Sequence, residues 1–297
     1  MQIVEKRKIW FTISLVLILI GIIAMPINAL MGNGILNFDV EFSGGIEIQM
    51  DLGQEFDNND VTKIVKDITN QSAPQVQRIL GKQQVNIKIR QLENTEETDI
   101  EALFEESFKE KYPQADVLSY SNVSATISSE MQVTALVAVL IACVAMLLYI
   151  TIRFGDWRSG VSAIIALVHD VLIVLMVYSV VRVPVNNSFI AAILTIVGYS
   201  INNTIVIFDR IRENKNISPK KTDFIQLTNK SIKDTLTRSI NTSLTTLFTV
   251  VALYVFGVAS IKEFAMPMIV GMLAGTYSSI FISTSVWYVL NTKKKAD

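Results

Sequence analysis

The stretch that decides the fold is "TIVGYSINNTIVIFDRIREN", Thr195–Asn214. It opens as a membrane-grade apolar helix, passes through a run of amides and hydroxyls, and closes in alternating charges. Asn202 and Asn203 cannot shed their dipoles, and an unpaired amide in hydrocarbon is costly. A helix written this way needs neighbours that answer its amides.

The rest of the chain supplies candidates. It is 51% hydrophobic and 18% charged, and its apolar residues are clustered. Six segments have the length of about 20 residues that crosses a hydrocarbon core. They are Ile9–Ala29, Val133–Phe154, Gly160–Val181, Ser188–Phe208, Ser239–Ser260 and Phe264–Leu290. The expected class is therefore a polytopic α-helical membrane protein with six transmembrane helices. The first segment lacks an A-x-A cleavage site and reads as a retained helix rather than a removed signal peptide.

Lys and Arg separate by side. Sixteen flank the N-terminus, the turn between spans two and three, the stretch between four and five, and the tail; the short loops after spans three and five hold only Arg182 and Lys262. The positive-inside rule then places both termini in the cytoplasm. Residues 32–132 fall outside, with 18 acids against 8 bases. That balance argues against nucleic acid. The expected organisation is an N-terminus with the first helix (1–31), an extracytoplasmic domain (32–132), a five-helix bundle (133–290) carrying a cytoplasmic loop (209–238), and a basic tail (291–297).

Within 32–132 the pattern changes. "GIEIQMDL" alternates Ile46, Ile48, Met50 and Leu52 on one face, as a half-buried strand does. Val61, Ile64, Val65 and Ile68 follow at helical spacing. "PQVQRILG" and "QQVNIKIRQ" read as two strands around a turn at Gly81-Lys82, "TDIEALFEESFKEKY" as a helix with a capping box of Thr98 and Glu101, and "ADVLSYSNV" as a last strand. Strand-helix-strand-strand-helix-strand is the ferredoxin-like α+β order, which says nothing about function by itself. Ahead of it, Gly44-Gly45 in "NFDVEFSGGIEI" marks a tight turn or a close backbone approach, most simply a hairpin.

Soluble-enzyme chemistry has little to work with. There is no G-x-x-x-x-G-K-[ST] motif, and the single histidine and single cysteine, His169 and Cys143, lie within spans. No catalytic set, metal site or cofactor site is expected. The informative residues are the polar ones in the spans. His169 and Asp170 sit mid-way along the third; an acid in hydrocarbon either faces a functional path or holds helices together. On the fourth, Asn202, Asp209 and Ser200 or Asn203 fall on neighbouring arcs. On the fifth, Arg238, Asn241, Thr242, Thr245 and Thr246 form a stripe at matching depth, so Asn203 is expected to meet the Arg238–Thr242 stretch. On the sixth, Gly271 and Gly275 have the small-residue spacing of close helix contact.

Together, "FDVEFSGG", "SNVSATISSEM", "IRFGDWRSGVSAIIALVHDVLI", "LTIVGYSINNTIVIFDRIREN", "SINTSLTTL" and "GTYSSIFISTSV" resemble the SecD/SecF family of protein-export membrane proteins, on its SecF side, along nearly the whole chain. Glu41, Gly44 and Gly45 match that family's extracytoplasmic signature. The resemblance implies a multi-pass protein of the bacterial cytoplasmic membrane, kinship to resistance-nodulation-division transporters, and a role in late translocation driven by the proton or sodium gradient. The partners it implies are SecD, the SecYEG translocon, YajC, the exported unfolded polypeptide and membrane lipid. The family's fourth-span motif usually reads Gly-Tyr-Ser-x-Asn-Asp, its acid being held to carry a proton near an arginine matched by Arg238. Here Asn203 stands in the acid's place, and an amide cannot shuttle a proton. Coupling then rests on a partner's acids, or on Asp170, or is absent from this site. A motor subunit and an uncoupled structural adaptor of the translocon both remain open; ion dependence separates them.

Overall fold

The computed structural model describes residues 2–31, 34–70, 74–79, 81–90, 97–217 and 223–292. Six helices are long and apolar enough to cross a membrane. Span one is α1 (Arg7–Leu30); the others are α5 (Ala125–Phe154), α6 (Trp157–Val181), α7 (Asn187–Ile217) and α8 (Phe224–Phe256), with span six made of α9 (Ala259–Tyr277), a π-helical turn (Ser278–Ser283) and α10 (Thr284–Thr292). Between α1 and α5 lie α2 (Val40–Ser43), β1 (Gly45–Asp51), α3 (Asn58–Thr69), β2 (Gln75–Arg78), β3 (Gln84–Ile89), α4 (Glu97–Lys109) and β4 (Asp116–Val123).

The α+β domain has the expected order and closes as one antiparallel sheet, β2-β3-β1-β4. Central β1 sets Ile48 opposite Ile87 of β3 and opposite Tyr120 of β4. Its alternating apolar face packs under α3 and α4: Ile46, Ile48, Met50, Val65, Phe104 and Phe108 are all buried in one cluster. Each such side chain contributes about 1.5–3 kcal/mol on burial. The helix of α4 is described from Glu97, so Thr98 lies inside it; the Thr98 side chain, and with it the capping box, lies outside the described residues.

Two sequence expectations change. Gly44-Gly45 is no hairpin. It ends the short α2 and turns the chain into β1, with φ of 74° and 151°. A Cβ on Gly45 would come within 2.4 Å of the Ile89 carbonyl oxygen, so the pair marks a close backbone approach. Nor are the described residues of the stretch 209–238 a loop, since 209–217 and 224–238 are helical. α7 has 31 residues and α8 has 33; at ~1.5 Å per residue both outrun a ~30 Å hydrocarbon core. Their polar ends continue as a helical pair, held where Arg210 meets Asp234 at 2.9 Å and Asn214 Nδ2 donates to Ser231 Oγ at 2.9 Å. Hydrophobicity marked only the lipid-crossing part.

The turns explain the antiparallel packing. Gly155 (φ 62°) stops α5 in the left-handed conformation, and the next residue, Asp156, caps α6 through the Arg158 N–H at 3.2 Å. At the other end of the bundle, Asn186 Oδ1 accepts from the Phe189 N–H at 3.1 Å and opens α7. There the α+β domain meets the helices: Phe38 bridges Val185, and the Asn187 N–H donates to Glu41 at 2.8 Å. Glu41 thus places a carboxylate on the positive end of span four. Asp39 and Lys88 form a buried ion pair beside it at 2.8 Å.

Candidate functional site

Asp170 is fully buried in α6, where three helices converge on its carboxylate. Oδ1 meets Nδ1 of His169 at 3.0 Å. Oδ2 accepts from Ser200 of span four at 2.6 Å and from Ser278 of span six at 2.9 Å. With both hydroxyls donating inward, Oδ2 has its two acceptor positions filled and Oδ1 has one of two. Gly275 makes the approach possible: a Cβ there would stand 3.1 Å from Ser200 Oγ and 3.4 Å from Asp170 Oδ2. Ser278 opens the π-helical turn, a winding often found at functional positions.

His169 carries the network to span one. Its Nε2 lies 2.9 Å from Ser14 Oγ, and Ser14 Oγ lies 3.5 Å from the Tyr277 hydroxyl, which donates to the Trp10 carbonyl at 2.9 Å. Nδ1–H serves Asp170, so the state of Nε2 decides how Ser14 points. A neutral imidazole accepts from Ser14. An imidazolium donates to Ser14, whose own proton then turns to Tyr277. Both states leave each group with a partner. A second strand of hydroxyls runs alongside, with Thr204 2.9 Å from Ser279 and Ser279 donating to the Ser200 carbonyl at 3.2 Å.

Asn203 is buried, but its partner differs from the expected one. Its Nδ2 donates to Ser243 Oγ at 3.2 Å, and Thr276 Oγ1 of span six reaches the same hydroxyl at 2.8 Å. The register of the antiparallel pair sets Asn203 against Ser243, the residue next to the Arg238–Thr242 stretch. Nor do the polar residues of α7 share one face. Ser200, Asn203 and Thr204 point into the bundle, whereas Asn202 and Asp209 are exposed. Asp209 lies 3.8 Å from Arg153. On α8, Ser239 and Ser243 are buried, Thr242 is half-buried, and Arg238, Asn241 and Thr245 are exposed. The Thr242 carbonyl accepts from Tyr199 at 3.4 Å. Asn202, Arg238 and Asn241 are therefore exposed polar residues toward the end of spans four and five that continues into the Arg210–Asp234 pair, apart from the Asp170 network.

Sequence reading missed Ser14, Ser243 and Thr276. A lone serine or threonine in an apolar helix usually bonds its own backbone, as Thr245 does with the Asn241 carbonyl at 3.0 Å, so nothing local marks the ones that reach across. Among the described residues no group of His, Cys, Asp and Glu is arranged to hold a metal.

A family model described as protein export membrane protein SecD/SecF, C-terminal, matches residues 103–293. The chain is 35% identical to the protein translocase subunit SecF of Helicobacter pylori, over 91% of this chain and 84% of that one. It is 36% identical to the SecF of Thermodesulfovibrio yellowstonii, over 96% and 93% respectively. It also matches the protein translocase subunit SecDF of Bacillus subtilis at 34% identity, spanning 37% of that longer protein. The crystal structure of a translocon-associated SecDF from Thermus superposes with a TM-score of 0.79 at 29% identity, over 99% of this chain and 39% of that one. With a family model over more than half of the chain and SecF relatives over nine-tenths of it, the chain belongs to the SecD/SecF family of protein export membrane proteins, on its SecF side.

Proposed function

We propose that this chain is the SecF-like subunit of the Sec protein-export machinery in the bacterial cytoplasmic membrane. It works with SecD at the SecYEG translocon, with YajC as an accessory, and draws unfolded polypeptide outward late in translocation. The α+β domain then faces the exterior and both termini the cytoplasm, as the charge asymmetry argues. The role is mechanical, without bond-making chemistry.

One observation carries the reading: Asn202, Arg238 and Asn241 are all exposed toward the end of spans four and five that continues into the Arg210–Asp234 pair. Amides turned to lipid cost free energy, and a guanidinium at a span's end needs the interface or a polar partner. A second polytopic subunit with polar groups of its own relieves that cost. A SecD-like partner supplies the acid that Asn203 lacks.

The ion pathway within this chain runs through Asp170 and His169. A proton arriving on Oδ2 of Asp170 displaces one of the two serines that donate to that oxygen, Ser200 or Ser278, which changes how span six is held. Asn203 tethers spans four, five and six without titrating. The test is preprotein translocation in vesicles containing this chain and SecD, with and without an imposed ion gradient. Asp170→Asn is expected to lose most of the gradient-driven increment, at least fivefold. Arg238→Leu is expected to weaken co-purification of SecD. An unchanged increment in Asp170→Asn favours the second reading, an uncoupled adaptor, to which the amide at position 203 already lends weight.

A further inference from the structure

Glu263 is a half-buried carboxylate in the first turns of α9 whose two oxygens serve different partners. Oε1 accepts from Gln77 Nε2 of β2 at 2.7 Å. Oε2 accepts from Asn186 Nδ2, the residue that caps span four, at 2.5 Å. Its charge also reaches Lys88 on β3: burial opposes that ammonium, and Asp39, Glu47 and Glu263 outweigh the opposition and hold its pKa above the ordinary lysine value. One side chain thus joins the edge of the α+β sheet, the start of span four and span six.

The same helix ends at the buried acid. α9 runs from Ala259 to Tyr277, and the next residue, Ser278, donates to Asp170 at 2.9 Å. The fifteen residues from Glu263 to Ser278 measure about 22 Å of helix. α9 stays helical over that length, with Pro267 removing one backbone hydrogen bond from it, and packed helices shift by about 1–2 Å in switching proteins. Gly271 lets it lie tight against span four, since a Cβ there would come 2.3 Å from Ile196.

We infer that Glu263 is a positioning residue for the coupling step: span six acts as a rod between Asp170 and the α+β domain, and Glu263 is the attachment through which β2 follows it. When Asp170 gains a proton and lets go of Ser278, α9 moves, and Gln77 moves with Glu263. The inference rests on the coupling reading proposed above and adds the route by which the outer domain is moved.

The experiment uses the full chain with SecD in vesicles. Spin labels sit at Lys82→Cys on the α+β domain and at Val181→Cys on the end of α6, an element the rod moves against, on a Cys143→Ala background. Imposing the gradient is expected to change the label distance in the parent, and Glu263→Leu is expected to abolish that change and cut the gradient-driven increment at least fivefold. Glu263→Gln keeps one acceptor oxygen and restores part of both. A purely structural role for Glu263 would lower protein level or SecD association without erasing the distance response. If Glu263→Leu does not accumulate, Gln77→Leu cuts the same link from the sheet side. If Asp170→Asn loses the increment while Glu263→Leu and Gln77→Leu keep both increment and distance change, the rod is overturned and the coupling reading stands. An increment that survives Asp170→Asn sinks the coupling reading and the rod together.

Discussion

At the residue scale, Asn203 occupies an acid's position without an acid's chemistry. Its amide donates to Ser243, which is also held by Thr276, so one side chain ties three spans together. Asn203→Ala leaves the Ser243 hydroxyl short of a partner, at a cost of about 1–3 kcal/mol. The expected result is a lower unfolding midpoint in detergent with the fold intact. Asn203→Asp asks a sharper question. A carboxylate can accept from Ser243, so that contact survives with the donor reversed, and the chain regains a titratable group. It should assemble with SecD and give export that is unchanged or steeper in its dependence on external pH. Failure of Asn203→Asp to assemble, beside a silent Asn203→Ala, would reduce the site to packing.

Among the elements, the α+β domain and span six behave differently. The domain has its own core, with every member drawn from residues 46–115, so a soluble fragment of residues 37–124 should melt cooperatively with mixed helix and strand circular dichroism. Lys88→Met in the full chain strands Asp39 as an unpaired buried charge, and breaking a buried pair costs about 3–5 kcal/mol. The Lys88 pKa is raised in the fold, so its contribution is fully present below the unfolded lysine value of about 10.4 and fades as pH climbs past the folded value. The wild-type advantage over Lys88→Met should therefore be flat from pH 6 to 9 and shrink only in strong alkali. Span six has no independent fold and is placed by contact. Gly271→Ala drives three atoms of Ile196 under 3 Å from the new methyl, an overpacking cost of about 1–3 kcal/mol. Ile196→Ala on the same chain should recover part of that loss, as read by a double-mutant cycle of thermal midpoints.

For the whole molecule, the α+β domain, the turn Arg182–Asn186 and Glu263 all meet on one face of the bundle, as six antiparallel spans require. Orientation across the membrane follows from charge. Cysteine at Lys82 should react with an impermeant maleimide in intact cells, and cysteine at Lys215 only after permeabilisation, both on a Cys143→Ala background. The reverse pattern would invert the topology and turn the α+β domain inward. The exposed polar residues Asn202, Arg238 and Asn241 are a feature at the same scale, since they belong to two spans and find their partners in an assembly.

The sequence by itself determined the six spans, the ferredoxin-like order of the domain, and Asp170 as the acid to watch, because hydrophobic length, alternation and the cost of a buried charge are local properties of the chain. It also located the polar residues of spans four and five, while leaving open which of them face inward. Only the tertiary structure decided that. Helical spacing puts Asn202 and Asn203 about 100° apart, and which of the two enters the bundle depends on how α7 rotates against α8 and α9. Register along the spans assigned Asn203 to Ser243 and drew Ser14, from the far end of the chain, to His169. The link from Glu263 to Gln77 bridges 186 residues, and no local pattern encodes a contact that two separately folded parts make when they meet.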